Sequence, residues 1–355
     1  MEGSTSQIRP PSFALPVSPS QFRLPSFAFP NDSLSPRDCF EFNLPPSVTK
    51  LLQTLLDGFS VGSLYALVAL GYTMVYGVLR FINFAHGDVF MLGAWVSWMI
   101  AKWLTWTGPD ASPPWFAAIV LLFGSMLVCG TLGYLIERFA YRPLRKSPRL
   151  NVLITAIGVS LFIQNAGQLN FIFGTDPQKM PQLLPDVTLF TLAGVNFELI
   201  DAIIVSTAIA LMVALQWLVY GTKLGLGMRA VSHDPQTAAL MGVPVDRVIS
   251  LTFVIGSALA AGAGLLFALE YRNLQQPAAA TWVLFGLKAF VAAVVGGIGS
   301  MKGAMVGGLI IGLLETVCSA YVSPQFREVY VFVLLIIVLL VKPSGIFGKM
   351  ETEKV

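Results

Sequence analysis

Five apolar runs decide what this chain can become: residues 61–79, 115–136, 152–173, 199–220 and 249–269. A helix crosses the hydrocarbon core of a bilayer with about 20 apolar residues. Within that core only helices and closed barrels satisfy their own backbone polar groups. Of 355 residues, 55% are hydrophobic and 12% charged, against about 25% charged in a soluble domain. The chain reads as an all-α polytopic membrane protein, a bundle of about 8–9 transmembrane helices. Residues 85–104 make a sixth span and residues 330–341 lie in a seventh. Residues 281–295 are short for a span and contain Lys288, and residues 303–321 make a further one. The count is nine, or eight with one re-entrant segment.

Basic residues in short loops set orientation. Arg138, Arg142, Arg145, Lys146 and Arg149 follow the third of the apolar spans, whereas the loop 174–198 has only Lys179. Lys223, Arg229 and Arg247 lie in the loop 221–248, and Lys342, Lys349 and Lys354 lie at the end. This alternation places the N-terminus outside and the C-terminal tail, 349–355, in the cytoplasm. Ends on opposite sides require an odd number of crossings, which favours nine.

The formal net charge of +3 is small, and nucleic acid is not an expected partner. Cys39, Cys129 and Cys318 are scattered, and His86 and His233 are the only histidines. No metal-ligand spacing can be built from that set.

Residues 1–50 are a different text. They hold nine prolines, and "QIRPPSFALP" at Gln7 returns as "QFRLPSFAFP" at Gln21. Such composition buries too little to offset the entropy of ordering, so a disordered extension is expected. It is either a docking arm or upstream sequence read ahead of a start near Val48. From Leu51 the pattern Leu52, Leu55, Leu56, Phe59 suits a helix lying on the membrane.

Three stretches carry polar or glycine signals. "RFINFAHGDVFMLG" brings Asn83, His86 and Asp88 together between two apolar spans. Asn83 and His86 share a face if helical, whereas Asp88 is displaced from Asn83 by about 140°. Either a hydrogen-bonded turn locks two spans, or these residues form a gate or pathway. Lys288 and Glu315 are the other charges in apolar surroundings, free to pair across helices or to snorkel, the commoner fate of a lysine. Gly299, Gly303 and Gly307 form a GxxxGxxxG run, and Gly308 and Gly312 repeat the spacing. They predict a turn, then a groove for close helix packing.

The loop "RAVSHDPQTAALMGVPVDRV" predicts an isolated helix. Asp234 is a good N-cap and Pro235 suits the first helical position. Gln236 to Met241 form helix readily, Gly242 suits the left-handed residue that ends it, and Pro244 prevents continuation. A helix of about two turns is unstable alone in water. It needs support from its own loops or a partner, which exposed Ala238 and Ala239 would let approach closely.

At this point the sequence resembles a known family, the permease subunits of ABC importers for branched-chain amino acids. The likeness is to the H-type membrane subunit of the leucine/isoleucine/valine uptake system. It rests on "GSLYALVALGYTMVYGVLRFINFAHGDVFMLGAW", "IERFAYRPLR", "LITAIGVSLFIQN", "MRAVSHDPQTAALMGVPVDRVISLTFVIGSALAAGAG", "GLKAFVAAVVGGIGSMKGAMVGG" and "FVLLIIVLLVKPSGIFG", in that order along residues 51–348. The resemblance implies a bacterial inner-membrane location, a sister permease, two cytoplasmic ATPases and an external substrate-binding protein. It makes the segment Asp234, Pro235, Ala238, Ala239, Gly242 and Arg247 an ATPase-coupling element. No GxxxxGK[ST] phosphate loop occurs in the chain, so ATP is expected on the partner subunit and no cofactor on this one. Urea or short amides are an alternative cargo. A stand-alone secondary transporter is the alternative mechanism, with Glu315 as its main candidate for a buried ion-coupling carboxylate.

Overall fold

The computed structural model describes residues 45–107, 113–145, 147–192 and 194–348. The extension expected before residue 45, Lys146 and the tail 349–355 lie outside the described residues.

Helix α1 runs from Pro46 to Leu79 without a break. Residues 46–50 are therefore helical, which corrects the boundary of the disordered extension. The expected membrane-surface helix and the first span are one element. Pro46 explains the start, because a missing N–H costs nothing in the first helical turn. At the other end Arg80 adopts φ 54° and returns its N–H to the Tyr76 carbonyl at 2.7 Å.

The chain then turns into α2 (His86–Trp103) and α3 (Ala117–Ile136), which continues through a π-helical turn, Glu137–Tyr141, and a 3-10 turn, Arg142–Leu144. Helix α4 (Arg149–Gly167) ends before the expected residue 173, and Phe173 folds back on Trp95 with ring centroids 5.2 Å apart. After β1 (Gln178–Lys179) and the hairpin β2 (Thr188–Leu192) and β3 (Val195–Glu198) comes α5 (Leu199–Gly221). Two short helices follow, α6 (Lys223–His233) and α7 (Pro235–Leu240), then α8 (Val245–Glu270) and β4 (Asn273–Leu274), which pairs antiparallel with β1. Helices α9 (Ala280–Gly296), α10 (Met301–Tyr321) and α11 (Arg327–Val341) complete the described fold.

Among the described residues, seven helical segments are long and apolar enough to cross a membrane: α1, α3, α4, α5, α8, α10, and α11 together with the 3-10 turn Pro324–Phe326 that leads into it. Helices α2, of 18 residues, and α9, of 17, fall outside that set and pack against α1, α8 and each other. Most of their side chains are buried against other helices. Helix α9 is a single unbroken helix.

Lipid is as apolar as leucine, so spans associate through close van der Waals packing of small residues rather than through apolar burial. The centre of this bundle follows that rule. A Cβ on Gly93 of α2 would lie 2.4 Å from the Ala261 Cα of α8, and one on Gly264 would lie 2.2 Å from the Phe90 carbonyl. Helix α10 carries two such faces. Gly303 and Gly307 lie against Gly296 and Ala292 of α9, whereas Gly308 and Gly312 lie against Ala66 and Gly62 of α1. Gly299 does not belong to either: it precedes the helix at φ +89° with open space where a Cβ would be. Its role as a packing residue is corrected to that of a turn residue. Beside it, Gly297 at φ +110° lets residues after α11 approach, and the Ile346 and Phe347 N–H groups donate to the Val295 and Gly296 carbonyls at 2.9 Å. The end of α9 is capped in this way. Helix α11 has only Val331 fully buried; Phe332, Leu335 and Val338 pack partly against the core, and Ile336, Ile337 and Leu340 face outward.

Candidate functional site

Two of the three polar side chains in the turn between α1 and α2 are hydrogen-bonded to neighbouring helices, and the third, His86, is buried with its Nε2 unpartnered among the described residues. Asn83 Oδ1 accepts from the Tyr141 hydroxyl at 2.6 Å, and Asp88 Oδ1 accepts from Gln164 Nε2 at 2.8 Å. Asp88 also sits in the first turn of α2, where the helix dipole favours a negative charge. His86 is buried edge-on to the Tyr72 ring at 4.6 Å and lies over Gly71. The three residues thus face α3's π turn, α4 and α1 respectively. Each of the three contacts ties the turn to a different helix.

Lys288 and Glu315 do come together, deep between α9 and α10. Lys288 Nζ lies 2.9 Å from Glu315 Oε1 and 2.8 Å from Glu328 Oε1. Arg327 Nε lies 2.5 Å from Glu315 Oε1, and the Tyr65 hydroxyl donates to Glu315 Oε2 at 2.7 Å. Glu315 is 1% exposed and Lys288 is 5% exposed. The lysine is therefore paired rather than snorkelling, because α11 and α10 bring it carboxylates that no lipid interface would improve on. Two cations and two carboxylates form one neutral cluster joining α1, α9, α10 and α11.

The segment after α5 is a pair of helices, not one. Thr222 Oγ1 caps α6 by accepting from the Gly225 N–H at 3.1 Å. Helix α6 is fastened to the end of α1: Ser232 Oγ donates to the Gly77 carbonyl at 2.5 Å, and Arg80 reaches the Ser232 carbonyl at 3.3 Å. Helix α7 is capped as its residues predict. Asp234 Oδ1 accepts from the Gln236 N–H at 2.9 Å, and its other oxygen accepts from the Thr237 hydroxyl. The Thr237 hydroxyl, then the Gln236 N–H, hold the Asp234 carboxyl below the ordinary carboxylate range. Gly242 ends the helix at φ +81°.

One expectation fails here. Ala238 is 4% exposed and faces inward, where its carbonyl accepts from the Val243 N–H at 3.0 Å. Ala239 remains exposed, and beyond it Leu240 and Met241 are 88% and 80% exposed. A hollow of about 700 Å³ lies beside them, lined by Ala239, Val243, Asp246 and Arg247 among others. Its far wall is an ionic clasp. Arg142 and Arg145 each reach Asp246 at 2.6 Å, Arg145 also pairs with Glu137, and Ser250 Oγ donates to Glu137 Oε2 at 2.6 Å. The end of α3 is thereby tied to the start of α8, next to α7.

Residues 54–341 match the family of branched-chain amino acid transport system permease components. The chain belongs to this family. The permease is 43% identical over 308 residues to the high-affinity branched-chain amino acid transport system permease protein LivH of Salmonella typhimurium, covering 86% of this chain and 97% of that one. It is 42% identical over 307 residues to LivH of Escherichia coli, with the same coverage. Against BraD of Pseudomonas aeruginosa, also named as a high-affinity branched-chain amino acid permease, identity is 41% over 313 residues, covering 87% of this chain and all of the relative. The matched region takes in the neutral cluster, the polar turn and both α6 and α7. Urea as a cargo is not favoured by these relatives.

Sequence reasoning missed several of the permease's positions. Leu240 and Met241 carry a signal, an apolar pair at the end of a helix outside the spans, which the capping pattern overshadowed. Arg327 and Glu328 stand 12 and 13 positions beyond Glu315, and only the turn between α10 and α11 brings them back. Tyr65 gives no signal at all, as one aromatic residue in an apolar span.

Proposed function

We propose that this permease forms one half of the membrane pathway of an ATP-driven importer for branched-chain amino acids, beside a sister permease. Alternating access carries the cargo inward. ATP is bound and hydrolysed by partner ATPases, an external binding protein delivers the amino acid, and the permease itself holds no nucleotide. In this reading the α6–α7 face and the C-terminal end of α11 are cytoplasmic, and the N-terminus with the β1–β4 ribbon is outside. The basic residues around α6 and in the loop after α3 support that orientation.

The observation that carries the reading is α7. It is a six-residue helix capped at both ends, presenting Ala239, Leu240 and Met241 to solvent outside every span. Exposed apolar residues of this kind mark a docking surface, and so short a helix is unstable without support. An ATPase seated on α7 pushes on α6 and thence on the end of α1. The same seat lies against the Glu137–Arg145–Asp246 clasp, which joins α3 to α8. Glu315, the candidate coupling carboxylate of a stand-alone carrier, is held by Lys288 and Arg327. That pairing suits a fixed structural charge better than one that must repeatedly take up and release an ion.

Radiolabelled uptake in cells carrying the complete system tests the reading. Leucine, isoleucine and valine should be taken up in competition with one another, with urea ineffective as a competitor. Uptake that persists after deletion of the ATPase subunits would sink the importer mechanism.

A further inference from the structure

Beside the neutral cluster lies a cavity of about 380 Å³ between α1, α8, α9 and the start of α11. That volume falls within the usual range for small-molecule sites, about 300–1,000 Å³. We propose that this cavity is the permease's own station for the amino acid, a site that grips the zwitterionic head between Arg327 and Glu328 and rests the aliphatic side chain on an aromatic wall. The proposal rests on the reading of the permease as an amino-acid importer.

The wall is built and rigid. Trp282 packs on Phe267 with ring centroids 5.5 Å apart, Phe267 on Phe285 at 5.1 Å, and Phe285 stacks on Tyr65 at 4.5 Å. Trp282 is further held by its indole N–H, which donates to the Gln275 and Gln276 carbonyls at 3.2 Å. Such a wall accepts a branched hydrocarbon chain and makes no directional demand on it.

The polar side is matched to a dipolar ligand rather than to an ion. Lys288 and Arg327 against Glu315 and Glu328 sum to no net charge, so neither a lone anion nor a lone cation is favoured. The cluster also leaves groups to spare. Arg327 gives its Nε to Glu315 and shares a side-chain hydrogen bond with Tyr271 at the cavity wall, and the five N–H donors of a guanidinium leave it able to reach a ligand carboxylate as well. Glu328 gives Oε1 to Lys288, while its Oε2 is buried and has no hydrogen-bond partner among the described residues. A buried carboxylate oxygen left in that state is costly, and an ammonium group is the donor that would complete it. A neutral amide such as urea offers no such pair of charges.

The test uses the assembled transporter in lipid nanodiscs without the soluble binding protein, so that only the permease can report on the ligand. Saturable leucine binding is measured against two half-molecules: 4-methylpentanoate, which lacks the ammonium, and 3-methylbutylamine, which lacks the carboxylate. Each should compete at least about tenfold more weakly than leucine, a loss of about 1.4 kcal/mol. Glu328→Gln should weaken leucine binding by about tenfold or more. Thr281→Trp, which plugs the cavity from an exposed position without touching the charges, should abolish it. Copurification of the ATPase shows that the variants assemble, and should Glu328→Gln fail to assemble, Thr281→Trp decides alone. The station is refuted if either half-molecule competes as well as leucine, if both variants bind leucine normally, or if a transporter that imports leucine shows no saturable binding. A complete wild-type system that imports no branched-chain amino acid in vesicles refutes the underlying reading instead.

Discussion

Single side chains in this permease matter through the partners they leave behind. Lys288 sits between Glu315 and Glu328, with both contacts under 3 Å. Lys288→Met leaves the buried Glu315 with Arg327 and Tyr65 as its remaining partners and tips the cluster to net negative, so it should lower the thermal stability of the detergent-solubilised complex by more than Tyr65→Phe does. Tyr65→Phe removes one donor from Glu315 and should cost less, about 1–3 kcal/mol. Equal effects of the two would show that the cluster is not the charge-paired unit described. On the soluble face, Asp234→Asn should keep α7 and Asp234→Ala should lose it, because asparagine caps as well as aspartate and alanine does not. Proteolysis at the Ala239–Met241 tip reports the difference. The sign of its pH dependence follows from the lowered carboxyl. The cap is complete above the ordinary carboxylate range and weakens only as pH falls below it.

At the scale of elements, apolar periodicity and caps were legible and depth was not. The α7 cap was readable from Asp234, Pro235 and Gly242 alone because capping is local chemistry. The run at 249–269 located α8 but not its start at Val245, since the first turn there carries Asp246 and Arg247. The glycine repeat announced close packing without saying which helix each residue meets. Only the fold shows that Gly307 meets α9 while Gly308, one position on, meets α1. Two substitutions separate these roles. Gly312→Leu drives a side chain into the Gly62 backbone, where even a Cβ would lie 2.3 Å from the Gly62 Cα, and should abolish assembly in the membrane. Gly303→Ala should disturb the α9–α10 hairpin, since its Cβ would lie 2.3 Å from the Gly296 carbonyl. Normal yields of either protein would contradict the packing described.

For the whole molecule, the sequence carried the fold class, because long apolar runs leave few alternatives, and it carried the short capped helix α7, because that helix is continuous in sequence. The cavity was not legible. Its walls come from α1, α8, α9, α10 and α11, and the pairing of Tyr65 with Glu315 spans 250 positions. Orientation is open to direct test by labelling intact cells with a membrane-impermeant maleimide. A cysteine at Asp176 should label and one at Leu240 should not, and the reverse pattern would invert the permease. The central claim, that α7 passes the force of ATP hydrolysis to the spans, is tested most directly by one paired measurement. Leucine uptake and ATP hydrolysis are followed together in proteoliposomes holding the complete system, wild type against Ala239→Arg. The account predicts that both activities fall to background while the permease and its sister subunit remain in the membrane without their ATPases. Uptake at the wild-type rate in the variant would contradict it.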